Sequence, residues 1–203
     1  MLIIANKAQD IKNLDPKFGV EIDVRDFHGL PMVEDGPIKK SCPILNGWID
    51  DHPDHPIYAI HVQSDGLHNQ IVDILEKKVP NRWFVYGMSF QSKWDFYHYG
   101  APIAETASEY EGDTGFEKIK AVWSVKMHPD EGSDLEHISY LNYDKAKDIP
   151  VYFSSPDVLS PSSQMSFVYW WWERAIKDVK VKGICTNYIN EAWEYFKFYD
   201  NEF

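Results

Sequence analysis

Short apolar runs alternate along the chain with longer amphipathic stretches. Residues 2–5 read as a buried strand, and residues 19–24 as a second. A short extended piece, residues 30–33, follows a glycine turn. Further strands are expected at 57–62, 83–86, around Ile103, at 121–125, 151–153 and 182–186. Each is brief and almost wholly apolar, which is the pattern of a parallel sheet buried on both faces. Between them lie helical periodicities. Residues 67–78 place Ile71, Ile74 and Leu75 on one face, with Asp73, Lys77 and Lys78 outside. Ser89 opens a helix carrying Trp94 and Phe96, and residues 134–142 align Leu135, Ile138 and Leu141. Ser162 or Ser163 is placed to cap a helix that runs through the tryptophans to Asp178. Asn190 begins the last helix, with Ala192, Trp193 and Phe196.

Strands that alternate with helices imply a parallel sheet, and eight main strands in order predict a small closed (β/α)8 TIM-type barrel. The alternative is an open doubly wound sheet. The Pro-rich stretch 36–56 leaves little room for a full second helix. At 203 residues the whole chain, 1–203, is expected to form one barrel domain.

Composition narrows the function classes. A formal net charge of −12 opposes a phosphate backbone, so no nucleic-acid partner is expected. The same charge favours cation binding. No apolar run reaches the length of a membrane span. Two cysteines, Cys42 and Cys185, lie far apart with no CxxC pair, which fits a reducing, cytoplasmic compartment. Cys185 reads as a buried strand residue.

The chemistry centres on Glu21-Ile22-Asp23. Strand residues two apart share a face, so both carboxylates point one way and Ile22 the other. At the C-terminal end of a barrel strand such a pair suits a hard cation, Mg²⁺ or Ca²⁺. The bland reading is a polar strand end at the surface.

Several stretches add to this. Gly19-Val20-Glu21-Ile22-Asp23-Val24, Ile60-His61-Val62-Gln63 and Gly183-Ile184-Cys185-Thr186-Asn187-Tyr188 occur in that order. They resemble the G-x-E-x-D-V, E-I-K and G-[IV]-x-T-[ND]-x-P landmarks of the glycerophosphodiester phosphodiesterase family, one of the PLC-like phosphodiesterase barrels. Gln63-Ser64-Asp65-Gly66-Leu67, Ser108-Glu109-Tyr110-Glu111 and Ser155-Pro156-Asp157 are similar to segments of a small branch of such barrels. The resemblance implies metal-assisted hydrolysis of a phosphodiester, with a small phosphorylated molecule as substrate. It implies Glu21 and Asp23 as metal ligands. His61 stands where the family has its third carboxylate ligand. Imidazole admits Mn²⁺ or Zn²⁺ beside Mg²⁺ or Ca²⁺; a lone structural histidine is the alternative.

The chain also departs from the family. Asn6-Lys7-Ala8 stands in place of H-R-G, so Asn6 replaces a catalytic histidine and cannot exchange a proton. Lys7 keeps the positive charge without the two-pronged fit of arginine to phosphate. The second histidine is replaced by Glu34 if one deletion is allowed, or by Asp35 without a gap. The resemblance thus implies Glu34, Lys7 and Asn6 at the catalytic positions. Lys7, Gln63 and Trp123 are the expected contacts to phosphate or substrate. Loss of both histidines equally fits a catalytically degenerate barrel that binds a phosphorylated ligand or a protein.

His52-Pro53-Asp54-His55-Pro56 reads as a solvated loop, because proline prevents one helical face. Trp170, Trp171 and Trp172 diverge by about 100° at each step of a helix, so they cannot share one side. One or two of them are expected to meet another layer, or a second copy of the chain.

Overall fold

The computed structural model describes residues 1–39, 41–107, 119–125, 149–177 and 181–199. The predicted helix at 134–142 and the Ser108–Glu111 landmark fall outside them. Among the described residues, eight parallel strands form the (β/α)8 TIM-type fold expected from the alternation, with one extra antiparallel strand. The chain groups into two compact units, Asn6–Ala104 and Met1–Ala5 with Glu105–Phe203.

The first unit contains β2 (Gly19–Phe27), β3 (Leu30–Val33), β4 (Tyr58–Val62) and β5 (Trp83–Tyr86), with helices α1 (Leu45–Asp51), α2 (His68–Lys78) and α3 (Phe90–His98). β4 lies between β2 and β5, parallel to both. β2 is longer than the predicted 19–24 for a physical reason. Its parallel pairing to β4 ends at Val24↔Val62, and beyond that it pairs antiparallel with β3 from Val24↔Val33 to Phe27↔Leu30. A turn through His28 and Gly29, both at positive φ, closes this hairpin. The Glu21–Asp23 pair therefore lies at the C-terminal end of the barrel part of β2.

The stretch 36–56 holds only a seven-residue helix, α1, whose Leu45, Trp48 and Ile49 are buried. On α2 the buried positions are Ile71, Val72 and Leu75, whereas Ile74 is half-buried. Ser89 caps α3 by accepting the amide of Ser92. His55 corrects the solvated-loop reading. It is 2 % exposed, and its Nδ1 bonds the Phe18 carbonyl at 2.8 Å. Arg82 holds the same loop by donating to the carbonyls of Pro53 and His55.

The second unit contains β1 (Leu2–Ala5), β6 (Ala104–Ala107), β7 (Ala121–Val125), β8 (Val151–Ser154) and β9 (Val181–Thr186). Their order is β1-β9-β8-β7-β6. Helices α4 (Pro156–Leu159), α5 (Met165–Lys177) and α6 (Ile189–Tyr199) accompany them. The tryptophan run divides as helix geometry requires. Trp171 and Trp172 are fully buried. Trp170 is half-buried, with the Arg174 guanidinium 3.3 Å over its ring. Cys185 is buried on β9 as expected, and neither cysteine is in a disulfide.

A buried polar cluster anchors this unit. Asp157 is fully buried and accepts hydrogen bonds from Ser155 Oγ, Thr186 Oγ1 and the Asn187 amide. Trp172 Nε1 donates to Ser155 Oγ at 3.0 Å. The Ser155-Pro156-Asp157 landmark thus ties β8 and α4 to the end of β9.

Candidate metal and phosphate site

Residues in parallel register point to the same face of a sheet, and neighbouring strands lie about 4.8 Å apart. Asp23 on β2 is in register with His61 on β4, and His61 with Tyr86 on β5. These three side chains form a row, and Glu21 stands two residues back on the same face of β2. Its register partner on β4 is the small Ala59, over which Tyr86 reaches to donate its hydroxyl to Glu21 Oε1 at 2.7 Å.

Each carboxylate is held by several donors. Glu21 Oε2 accepts the Lys7 backbone amide at 2.9 Å. Asp23 Oδ1 meets His61 Nδ1 at 2.6 Å and the Gln63 amide, and Asp23 Oδ2 accepts from Gln9 Nε2 at 3.4 Å. The His61 ring stacks on Tyr86, with centroids 5.0 Å apart and planes 14° from parallel.

Glu21, Asp23 and His61 each offer a ligand atom, and these atoms lie within 4.8 Å of one another. Glu21 and Asp23 are 3 % and 2 % exposed. Burial, and then the neighbouring Asp23 charge, push the Glu21 carboxyl upward. Two buried like charges on one face are costly unless a cation joins them. Two carboxylates and one imidazole are a coherent donor set for a divalent ion, so the residues fit the metal expected from the sequence.

A second group stands beside the first. Lys7 sits in a left-handed turn, at φ 47°. Its amide serves Glu21, and its ammonium contacts Asp35 at 2.5 Å. Asp35 raises the lysine pKa, chiefly by this hydrogen bond, and Lys7 in turn lowers that of Asp35. The β2–β3 hairpin brings Asp35 there, with the Glu34 amide bonded to the Asp23 carbonyl at 3.1 Å. Of the two carboxylates considered in place of the second histidine, Asp35 is the one at Lys7. Glu34 is turned toward Cys42, whose thiol donates to it at 3.0 Å, and toward the Gly36 amide. These bonds lower the Glu34 pKa, the thiol contributing most. Asn6 is buried next to Lys7 in the chain. Gln63 joins Asp23 and His61. Trp123 belongs to the other unit, where it is buried on β7.

Three contributors escape sequence reasoning. Tyr86 and Gln9 reach the carboxylates only through the fold. Gly87, at φ 75°, is required by the histidine, because a Cβ there would lie 2.2 Å from His61 Cδ2 and 2.5 Å from Nε2. None carries a motif; only a glycine directly after an apolar strand, at the end of Trp83–Tyr86, hints at a close approach.

No family model matches the chain, and no curated protein matches it. Solved structures do. One is a glycerophosphodiester phosphodiesterase from Agrobacterium tumefaciens, with a TM-score of 0.61 and 10% identity over 92% of this chain and 96% of that one. Another is an Oleispira antarctica phosphodiesterase, solved in complex with the product sn-glycerol-3-phosphate. It has a TM-score of 0.61 and 11% identity over 97% of each chain. At such low identity the likeness is one of architecture, and it agrees with the landmarks read from the sequence: this chain has the barrel fold of the glycerophosphodiester phosphodiesterases.

Proposed function

We propose that this barrel is a phosphodiesterase that hydrolyses a glycerophosphodiester-like substrate with the help of a divalent cation held by Glu21, Asp23 and His61. The convergence of those three ligand atoms to within 4.8 Å carries the reading. It gains support from the barrel's likeness to phosphodiesterases. When bound, the cation supplies charge neutralisation at the phosphate and lowers the pKa of a coordinated hydroxyl.

The chain's own groups supply the rest. Lys7, kept cationic by Asp35, offers a point charge to a phosphate oxygen. Gln63 donates to Asp23 and so helps to orient that carboxylate. Asp35 and Glu34 both have lowered pKa values, so they are ionised at neutral pH and are available as general bases, but neither starts out protonated to serve as a general acid. Asn6 cannot exchange a proton at all. Water attack therefore has a base, while the departing alcohol lacks a histidine acid. Turnover of a glycerophosphodiester, whose leaving group is an alkoxide, is then slow, and a diester whose leaving group is stable as an anion reacts faster.

Hydrolysis of an aryl phosphodiester by wild type, Asp23→Asn, Glu34→Gln and Asp35→Asn tests this. Asp23→Asn is expected to abolish turnover, and loss of the working base to lower it by about 10²–10⁴. Turnover indifferent to all three substitutions would refute the reading.

One observation favours a second reading. Both candidate bases are already engaged, Asp35 by Lys7 and Glu34 by Cys42. A barrel that binds a phosphorylated ligand without turnover fits that arrangement. Stabilisation by phosphate with no hydrolysis of any phosphodiester would select it.

A further inference from the structure

We infer that His61 makes this centre selective for an imidazole-accepting transition ion of the Mn²⁺ or Zn²⁺ type over Mg²⁺ and Ca²⁺. This rests on the proposed cation site and specifies its occupant. Mg²⁺ and Ca²⁺ are hard ions that take oxygen donors, and an all-carboxylate set is what they need. Here one of the three convergent donors is nitrogen. Imidazole nitrogen suits Zn²⁺ and its neighbours, whereas carboxylate oxygen also accepts Mn²⁺, so the mixed set favours ions that take both.

The nitrogen is not there by chance of rotamer. Three independent features fix the ring. Tyr86 stacks on one face at 5.0 Å. Asp23 Oδ1 lies 2.6 Å from Nδ1. The ring edge with Cδ2 and Nε2 occupies the space that any side chain at residue 87 would need. Nδ1 thus faces the carboxylate that would share the ion, and Nε2 is turned to the Gly87 backbone. Nδ1 is the ring atom that would be offered to an ion held together with Asp23. Tyr86 donates to Glu21 and Gln63 to Asp23, so the two carboxylates beside the ring are held in place as well.

Thermal melting of the full chain with each of the four ions decides the point, because an ion bound only by the folded state raises the midpoint. Wild type is expected to respond to Mn²⁺ or Zn²⁺ at concentrations at least about tenfold below those needed for Mg²⁺ or Ca²⁺, a difference of about 1.4 kcal/mol. Asp23→Asn should remove the response, which separates this centre from surface histidines. His61→Glu should abolish or reverse the ranking. Should that variant fail to fold, wild type loaded with Mn²⁺ still reports. Its electron spin echo must show modulation from a coordinated imidazole nitrogen that is lost in His61→Gln. A stronger response to Mg²⁺ or Ca²⁺, a ranking unchanged in folded His61→Glu, or no nitrogen modulation overturns the selectivity while leaving a cation site standing. No response to any ion overturns both.

Discussion

The ring of His61 stands where Gly87 would carry a side chain: a Cβ on residue 87 would lie 2.2 Å from Cδ2. The glycine is also at φ 75°, a region that costs other residues about 1–3 kcal/mol. Gly87→Ala is therefore expected to destabilise the protein by at least that amount and to push the imidazole off Asp23. Urea denaturation measures the first effect. Loss of the ion-induced rise in melting temperature measures the second. Wild-type behaviour in both assays would contradict the contact.

Lys7 serves the site through two separate atoms, its amide to Glu21 and its ammonium to Asp35. Lys7→Asn tolerates the left-handed backbone and keeps the amide while it removes the charge. Such a variant should fold as wild type does but bind inorganic phosphate about tenfold more weakly, by about 1.4 kcal/mol. A phosphate titration followed by calorimetry or melting checks it. Unchanged phosphate affinity would remove Lys7 from ligand binding.

His55 predicts a pH effect outside the candidate site. Burial lowers its pKa below the ordinary 6.5, although its bond to the Phe18 carbonyl opposes the shift. The folded state then binds fewer protons than the unfolded state as pH falls through this window. Stability is intact above pH 6.5 and is lost as pH drops toward the folded-state value. His55→Asn, which can still donate to Phe18, should flatten this acid limb. Melting curves recorded downward from neutral pH test the sign, and an equally steep limb in the variant would exclude His55 as its source.

Asp157 gathers Ser155, Thr186 and the Asn187 amide around one buried carboxylate. Asp157→Ala leaves those donors unsatisfied and is expected to cost about 3–5 kcal/mol. Asp157→Asn keeps the volume and one acceptor, so it should cost less. Equilibrium unfolding of the two variants gives the ranking, and a small loss in Asp157→Ala would mean that the cluster is dispensable.

The strands and the paired carboxylates were legible because both follow from local period. Apolar runs bounded by turns marked the strands, and alternation put Glu21 and Asp23 on one face. What local pattern could not reach was whatever depends on register between strands. Tyr86 bonds Glu21 across β4, and Gly87 yields to a histidine from another strand. His55 misled for the same reason. Its prolines do mark a loop, but a carbonyl 37 residues away buries it. The choice between Glu34 and Asp35 needed the hairpin, which sets one beside Lys7 and the other beside Cys42.

The anchoring of both carboxylates bears on how fast an ion can come and go. Glu21 is held by Tyr86 and the Lys7 amide, and Asp23 by His61, Gln63 and Gln9. With the ligands positioned by protein donors, capture of a cation at the proposed site would require little reordering of the chain, and the slow event would be the shedding of the ion's own water shell. Association rates should then rank the ions by how readily they dehydrate, with reluctant Mg²⁺ the slowest, whatever their final affinities.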